Sequence, residues 1–127
     1  PNQKGAFLLP TVISGLSHTS RCATEEIFGP VVTLHTFENE LQAVEMANHS
    51  EYGLAGSVWT QDLERGRMVA SQIETGIVWV NTWLHRDLRT PFGGVKNSGV
   101  GREGGRWSLE FFSELTNICV KDAKDES

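Results

Sequence analysis

The chain has 127 residues and a formal net charge of -5 at pH 7, and this length fits one domain with a hydrophobic core of its own. The acidic balance argues against a nucleic-acid partner or an anionic membrane surface, because both favour a basic protein face. No apolar run approaches the roughly 18 residues of a membrane span, and no signal-peptide pattern is present, so the sequence predicts a cytoplasmic protein. The first residue is Pro1 rather than methionine, which suggests a piece of a longer protein.

Strand and helix signals alternate along the middle of the chain. A β-branched run predicts a strand, and apolar residues at every third position after Asn39 predict a helix with Asn39 as its N-cap. Asp62 is the predicted N-cap of a second helix, which Gly76 closes. The predicted order is an edge strand at 10–13, a strand at 31–37, a helix at 39–48, a strand at 54–59, a helix at 62–76 and a strand at 77–80.

This alternation is typical of right-handed βαβ units, so the predicted fold class is α/β with a parallel βαβαβ sheet. Ligands of such sheets bind beyond the carboxyl ends of the strands. A short helix from about Arg106 and a last strand at 115–121 follow. The charged tail at 122–127 is expected to fray.

The segment Arg89–Gly105, called the glycine loop below, holds six of the 13 glycines and follows the predicted strand at 77–80. Glycine allows positive φ and a close approach of backbone to its neighbours. Within the loop, 99–104 matches the dinucleotide pattern G-x-G-x-x-G. That motif requires an apolar strand running into its first glycine. The preceding residues, PFGGVKNS, do not predict a strand, so a tight loop shaped by glycine is favoured.

The two cysteines, Cys22 and Cys119, lack the spacing of a disulfide framework or a metal site, so no metal is predicted. Cys22 has Arg21 beside it but Glu25 and Glu26 after it, and a non-catalytic thiol is favoured over a nucleophile. Cys119 alternates with apolar residues and is expected to pack. Consecutive residues on extended backbone face opposite ways, so at most one of the two glutamates faces a site.

Two arginines, Arg86 and Arg89, flank Asp87 after the strand at 77–80. From residue type alone, a solvated ion pair with Asp87 is favoured. The alternative is that one arginine presents a bidentate fork to a substrate carboxylate, which suits a position beyond a strand end.

Four ordered blocks carry a resemblance to a known family. They are Thr24–Val31 (TEEIFGPV), Tyr52–Ala55 (YGLA), Gly76–Asn81 (GIVWVN) and Pro91–Glu103 (PFGGVKNSGVGRE). Together they resemble the carboxyl-terminal part of the NAD(P)-dependent aldehyde dehydrogenases. The segments 81–92 and 108–121 further resemble the branch that oxidises 2-hydroxymuconate or 2-aminomuconate semialdehyde.

The resemblance implies a role for each matched residue. Glu26 would hold the nicotinamide ribose, Phe28 would lie beside the nicotinamide, and Glu103 would relay protons for the general base. The tunnel for a small-molecule aldehyde would be lined by Trp83, Leu84, Arg86 and Phe92. The cofactor would be NAD, with NADP possible, and the last strand would join a neighbouring subunit in a homo-oligomer. Arg86 is preferred over Arg89 for a substrate carboxylate, because it lies within the matched tunnel lining.

The same resemblance divides the chain and limits what it can do alone. Residues 1–114 would form the carboxyl-terminal part of a catalytic domain, 115–121 an oligomerisation strand and 122–127 a charged tail. The family's nucleophilic cysteine, general-base glutamate, oxyanion asparagine and dinucleotide-binding domain all precede the matched region, so the chain alone is expected to be inactive. Another aldehyde specificity, or a non-catalytic module that binds small acids or mediates oligomerisation, remains the alternative.

Overall fold

The structure is a computed structural model that describes residues 5–121, so the predicted charged tail at 122–127 lies outside the described residues. Within that range, strands and short helices follow one another along the whole chain. In chain order they are β1 (Thr11–Ser14), α1 (Arg21–Thr24), β2 (Val31–Leu34), α2 (Glu40–Asn48), β3 (Tyr52–Gly53), β4 (Ala55–Val58), α3 (Leu63–Ala70), β5 (Ile77–Val80), β6 (Val95–Lys96) and α4 (Gly105–Phe111).

Both predicted helix caps are formed by the side chains of the predicted residues. Asn39 Oδ1 accepts a hydrogen bond of 3.0 Å from the Gln42 N–H at the start of α2. Asp62 Oδ1 accepts one of 3.1 Å from the Arg65 N–H at the start of α3. Each bond satisfies a backbone donor that has no partner inside its helix, which is why these helices begin where the sequence predicts.

The end of α3 differs from the prediction. The helix ends at Ala70, with Ser71 as its C-cap, and not at Gly76. The Gln72 N–H bonds to the Val69 carbonyl, which closes the last turn tightly. Gly76 instead donates its N–H to the Gly53 carbonyl at 3.0 Å, so it already belongs to the entry of β5. Gly76 therefore marks a place where backbone segments pack closely, and not the C-cap of α3.

Parallel strand pairs confirm the α/β class, and their arrangement adds detail. β1 pairs with β2 in parallel, with Thr11 opposite Val31. β4 pairs with β5 in parallel across α3, with Ala55 opposite Ile77. The short β3 and β6 pair antiparallel. These pairs form three two-stranded sheets in the described residues rather than one continuous sheet, because β2 bonds to β1 and not to β4.

The most buried apolar side chains of the described residues lie on α2 and β5. Val44 on α2 and Trp79 on β5 are 7% and 6% exposed. Gly66 lets α3 approach the sheet closely, since a Cβ at this position would lie 2.8 Å from Val80 Cγ1. Side-chain volume at that crossing would push the helix off the strand.

The carboxyl-terminal segment bears on two expectations. The structure assigns no strand to residues 115–121, and Leu115, Ile118 and Val120 are at least 80% exposed. A strand is defined by its ladder of hydrogen bonds, and the strand predicted at 115–121 was expected to find that ladder on a second subunit, so it stays a prediction. Cys119 is exposed rather than packed, because its segment belongs to none of the sheets of the described residues. Across 5–121, the helices are all too short or too polar to cross a membrane.

Candidate functional site

The loop that carries the candidate site begins at Asn81, directly after β5. Asn81 has a φ of 54°, a conformation that asparagine tolerates better than most residues. Its Oδ1 accepts from the Thr60 N–H at 2.8 Å, and its Nδ2 donates to the Thr60 carbonyl at 2.7 Å. The side-chain amide thus makes the two hydrogen bonds that a further residue of β5 would make to β4, and the backbone turns away from the strand. The sequence reasoning missed this role, although an asparagine at a strand end is a signal for it.

Trp83 and Leu84, both predicted to line the substrate tunnel, project from this loop. The Trp83 ring packs edge-on against Trp79, with 4.9 Å between ring centroids, and Trp83 remains 59% exposed. Leu84 has a φ of 56° and is also largely exposed. Trp79 Nε1 donates to the His85 carbonyl at 2.7 Å and ties the loop to the buried strand. The two predicted lining residues therefore face outward from a loop that is anchored on Trp79.

Three of the predicted site residues, Arg86, Phe92 and Glu103, lie together and are called the Arg86 cluster below. Phe92 and Glu103 exchange backbone hydrogen bonds, each of 2.8 Å. Directly opposite residues of an antiparallel pair point to the same side, so one guanidinium can reach both. Arg86 Cζ lies 4.1 Å from the centroid of the Phe92 ring, and Arg86 Nη2 donates to Glu103 Oε1.

The second arginine, Arg89, has a different partner. Its Nε and Nη2 donate to both carboxylate oxygens of Asp87, at 2.6 to 3.1 Å. The Arg89 N–H also donates to Asp87 Oδ1 at 2.9 Å. These side-chain and backbone hydrogen bonds lower the pKa of Asp87, and the Asp87 carboxylate raises the pKa of Arg89. The solvated ion pair expected from residue type is thus the arrangement at Arg89, whereas Arg86 joins the cluster.

The glycine loop is held by close backbone contacts. A Cβ on Gly76 would lie 1.5 Å from the Gly93 carbonyl oxygen, and one on Gly104, whose φ is 101°, would lie 2.2 Å from the Thr90 carbonyl oxygen. Arg102 Nη1 donates to the Gly94 and Gly101 carbonyls at 2.9 and 2.6 Å. Arg102 was not singled out from the sequence, because nothing in its neighbours predicts that a side chain would close this loop.

The dinucleotide pattern in the glycine loop lacks its structural context. The strand before Gly99 is β6, which has two residues and runs antiparallel to β3. No apolar strand of a βαβ unit leads into Gly99, and α4 after Gly104 has no side-chain cap hydrogen bond. The segment is therefore a tight loop, which is the interpretation that the sequence favoured.

Three cavities are lined by residues that were predicted to belong to the site. One of about 350 Å³ is lined by Phe92, Glu103 and Phe111, and one of about 560 Å³ is lined by Glu26 and Tyr52. These two cavities share Leu54 and Ser98 as lining residues. Glu26 also lines a third cavity of about 290 Å³, together with Cys22, Glu25 and Phe28. Glu26 therefore lines both the cavity that contains Phe28 and the cavity that adjoins the one beside Phe92 and Glu103.

The chemistry around Glu26 and Phe28 fits the nicotinamide half of a dinucleotide. Glu25 is held by Arg21 through hydrogen bonds of 2.7 and 2.9 Å, which lower the pKa of Glu25. Glu26 lines two cavities, and a carboxylate there can accept hydrogen bonds from ribose hydroxyls. Phe28 is 92% exposed with a φ of 53°, so its ring is available to stack on a flat heterocycle.

Comparison with known proteins identifies the family. A model of the aldehyde dehydrogenase family matches residues 1–118. The chain is 56% identical over 117 residues to 2-hydroxymuconic semialdehyde dehydrogenase of Pseudomonas putida, covering 92% of this chain and 24% of that protein. It is 49% identical over 120 residues to 2-aminomuconic semialdehyde dehydrogenase of Homo sapiens, covering 94% of this chain and 25% of that protein.

A solved structure gives the same answer in three dimensions. The Mycobacterium tuberculosis aldehyde dehydrogenase complexed with NAD+ matches with a TM-score of 0.82 and 45% identity, covering 87% of this chain and 23% of that chain. The chain thus spans about a quarter of the length of the relatives it matches. The resemblance in the sequence blocks is confirmed: this chain belongs to the aldehyde dehydrogenase family.

Proposed function

We propose that the chain is part of an NAD-dependent aldehyde dehydrogenase that oxidises a carboxylated semialdehyde of the 2-hydroxymuconic or 2-aminomuconic kind to the acid. The observation that carries the proposal is the Arg86 cluster, an arginine held against Phe92 and Glu103, which line a cavity, in a chain 56% identical to a 2-hydroxymuconic semialdehyde dehydrogenase. The complete polypeptide that carries this sequence is called the whole enzyme below.

Arg86 is the residue we assign to the substrate carboxylate. A guanidinium is planar and carries five N–H donors in a fork that matches a carboxylate. The face of the Phe92 ring, 4.1 Å from Arg86 Cζ, fixes the plane of that fork. The Arg86 side chain keeps 35% of its surface exposed, so a ligand can reach it, and its partners Phe92 and Glu103 line the cavity of about 350 Å³. An ammonium group could not replace it, because it lacks the planar two-pronged geometry.

Glu26 and Phe28 are the residues we assign to the cofactor. When bound, NAD supplies a hydride acceptor for the aldehyde carbon. The Glu26 carboxylate would hold the ribose hydroxyls and so fix the orientation of the nicotinamide. The exposed Phe28 ring would cover one face of the nicotinamide and exclude water from it. Replacing Glu26 by glutamine should therefore slow the hydride step more than it weakens NAD affinity.

The covalent step needs a nucleophile from outside this chain. Of the two cysteines, both in the described part, neither lines the cavity beside Phe92 and Glu103. Glu103 is positioned to take up and pass on a proton at the mouth of that cavity, with 59% of its side chain exposed. We therefore expect the 127 residues alone to produce no NADH from a semialdehyde. NADH formation by the isolated chain would contradict the proposal.

The test of substrate class compares Arg86→Ala with Arg89→Ala in the whole enzyme. Loss of a charge-assisted contact should lower kcat/KM for the carboxylated semialdehyde about ten- to a hundred-fold in Arg86→Ala. An uncharged aldehyde should lose far less, and Arg86→Lys should also be impaired. Arg89→Ala is the matched control, since Arg89 is engaged with Asp87. Equal losses on both substrates would mean that Arg86 is structural, and a selective loss at Arg89 alone would move the assignment to Arg89.

We also propose that residues 115–121 pair with the sheet of a second subunit. The supporting observation is the exposure of Leu115, Ile118 and Val120 in a segment that belongs to none of the sheets of the described residues. Apolar side chains exposed in this way favour strand addition to a second subunit. Truncating the whole enzyme after Glu114 should lower the mass of its oligomer, as measured by light scattering. An unchanged oligomer would contradict this assembly and leave the catalytic proposal standing.

A further inference from the structure

We propose that Glu103 is an internal competitor for Arg86, so that a substrate carboxylate must replace Glu103 on the guanidinium and releases the Glu103 carboxylate as it binds. The inference rests on the proposed role of Arg86 in substrate recognition. It adds a specificity function to Glu103, which would otherwise serve only in proton relay.

The backbone holds Glu103 beside Arg86 before any substrate arrives. The paired hydrogen bonds of 2.8 Å between Phe92 and Glu103 fix both side chains on one side of the glycine loop. Arg86 lies on the Phe92 ring and donates Nη2 to Glu103 Oε1. The contact is thus set by three residues that the fold brings together, rather than by two mobile side chains that happen to meet.

The two carboxylates cannot both use Arg86 fully. Nη2 carries two N–H groups, one in the fork shared with Nε and one in the fork shared with Nη1, and Glu103 occupies one of them, so a substrate carboxylate that takes the same fork must replace Glu103. Two carboxylates on one guanidinium would also leave an excess negative charge at a single cation, and like charges at this separation repel. Binding of the substrate carboxylate and the Arg86–Glu103 contact therefore oppose each other.

The contact is weak enough to be exchanged. The side chains of Arg86 and Glu103 are 35% and 59% exposed, and partly exposed ion pairs contribute little because water screens them. A binding group that is partly occupied by an internal partner lowers the apparent affinity of its ligand by the fraction that is free. A carboxylated aldehyde would thus displace Glu103, whereas an uncharged aldehyde would leave Glu103 held by Arg86.

The test is the affinity of the whole enzyme for muconate, an unreactive dicarboxylate probe, by isothermal titration calorimetry. Arg86→Ala should weaken muconate binding about ten-fold or more. Glu103→Gln, which keeps the backbone pair with Phe92, should tighten it about two- to five-fold, the range expected from losing a partly exposed ion pair. In the double variant, Glu103→Gln should add nothing to Arg86→Ala. Glu110→Gln is the matched control, because Glu110 pairs with Arg106 at 3.4 Å on α4 and not with Arg86.

The outcomes separate the two proposals. If Arg86→Ala leaves muconate affinity unchanged, the proposed recognition of a carboxylate by Arg86 fails. If Arg86→Ala weakens binding but Glu103→Gln does not tighten it, only the competition is overturned. If the tightening by Glu103→Gln persists in the Arg86→Ala background, or is matched by Glu110→Gln, Glu103 acts through general charge repulsion and the competition is again overturned.

Discussion

Two regions of the chain contrast in how they are held: the β4–α3–β5 unit with its attached glycine loop, and the β1–β2 pair. In the first, Trp79 is 6% exposed and Gly66 allows α3 to pack against the sheet. In the second, Val12, Val32 and Leu34 are 63%, 53% and 56% exposed. Both regions are built on a parallel pair of four-residue strands, so strand length and direction do not explain the difference.

The difference teaches where each region finds its packing partners. The β4–α3–β5 unit has a helix of this chain on its sheet and bonds from Asn81 and Trp79 to the loop beyond it. The β1–β2 pair keeps several large apolar side chains in contact with water, which a whole enzyme would cover. The Arg86 cluster belongs to the first region and Phe28 lies next to β2 in the second. Cofactor contacts should therefore depend more on sequence outside this chain than substrate contacts do.

The strongest test of this contrast is an added methyl group at one glycine of each region. In Gly76→Ala the new Cβ would lie 1.5 Å from the Gly93 carbonyl oxygen, so the glycine loop must move. We expect a loss of more than about 3 kcal/mol in the free energy of unfolding, or failure to fold. In Gly29→Ala the Cβ would meet only Ile27 Cγ2, at 3.9 Å, and the loss should stay under about 1 kcal/mol. Urea unfolding of the whole enzyme measures both, and similar losses would contradict the contrast.

A second test removes the side chain that ends β5. Asn81→Ala loses two hydrogen bonds to Thr60 and places alanine at a φ of 54°. The expected cost is about 2 to 4 kcal/mol, combining the lost bonds and the backbone strain. Thr11→Val in β1 is the control, because Thr11 Oγ1 makes one exposed bond to the Leu9 carbonyl. Asn81→Gly should recover the backbone part of the loss, and no recovery would mean that strain is unimportant there.

The sequence was most informative where a single local rule decides the structure. Asn39 and Asp62 were predicted as caps because a short polar side chain at a helix start satisfies a backbone donor, and both caps form. The bounds of β5 were predicted correctly from one apolar run. The pairing of the strands was harder to predict, because the partner of β2 depends on packing over the whole fold and not on the sequence of β2 itself.

The candidate site shows the same division. The resemblance named Arg86, Phe92 and Glu103, but their mutual contact depends on the bridge between Phe92 and Glu103, which no sequence spacing predicts. Arg102 and Asn81 were missed as loop-shaping residues, because their bonds go to backbone groups brought near by the fold. The strand at 115–121 was predicted from alternation and from the resemblance to join a neighbouring subunit, and a single chain does not supply the neighbour that such a strand needs.

A third test weakens the link between the glycine loop and α2. Lys96 Nζ donates to the Asn48 and Ser50 carbonyls at 2.8 and 3.2 Å and pairs with Glu74 at 2.7 Å. Lys96→Met keeps the apolar stem and removes these contacts, and we expect a loss of about 1 to 2 kcal/mol. Arg21→Met is the matched control beside the β1–β2 pair, where loss of the exposed Arg21–Glu25 contact should cost much less than Lys96→Met. A larger loss in Arg21→Met would reverse the ranking of the two regions.

The smallest expected effect concerns acid, and it compares one carboxylate from each region. The pKa of Asp87 is lowered from its ordinary 3.8 by the Arg89 side chain and backbone, and the pKa of Glu25 is lowered from 4.5 by the Arg21 side chain. A carboxylate with a lowered pKa in the folded state stabilises the fold above its ordinary pKa, and this contribution is lost as pH falls through the lowered value.

In Arg21→Ala, Glu25 loses its hydrogen-bond donor and its contribution should disappear. In Arg89→Ala, the backbone N–H of residue 89 still donates to Asp87 Oδ1, so part of the Asp87 contribution should remain. The thermal midpoint of the whole enzyme, followed from about pH 6 to about pH 3, should therefore become less acid-dependent in Arg21→Ala than in Arg89→Ala. The reverse order would mean that the backbone bond to Asp87 does not survive without the guanidinium.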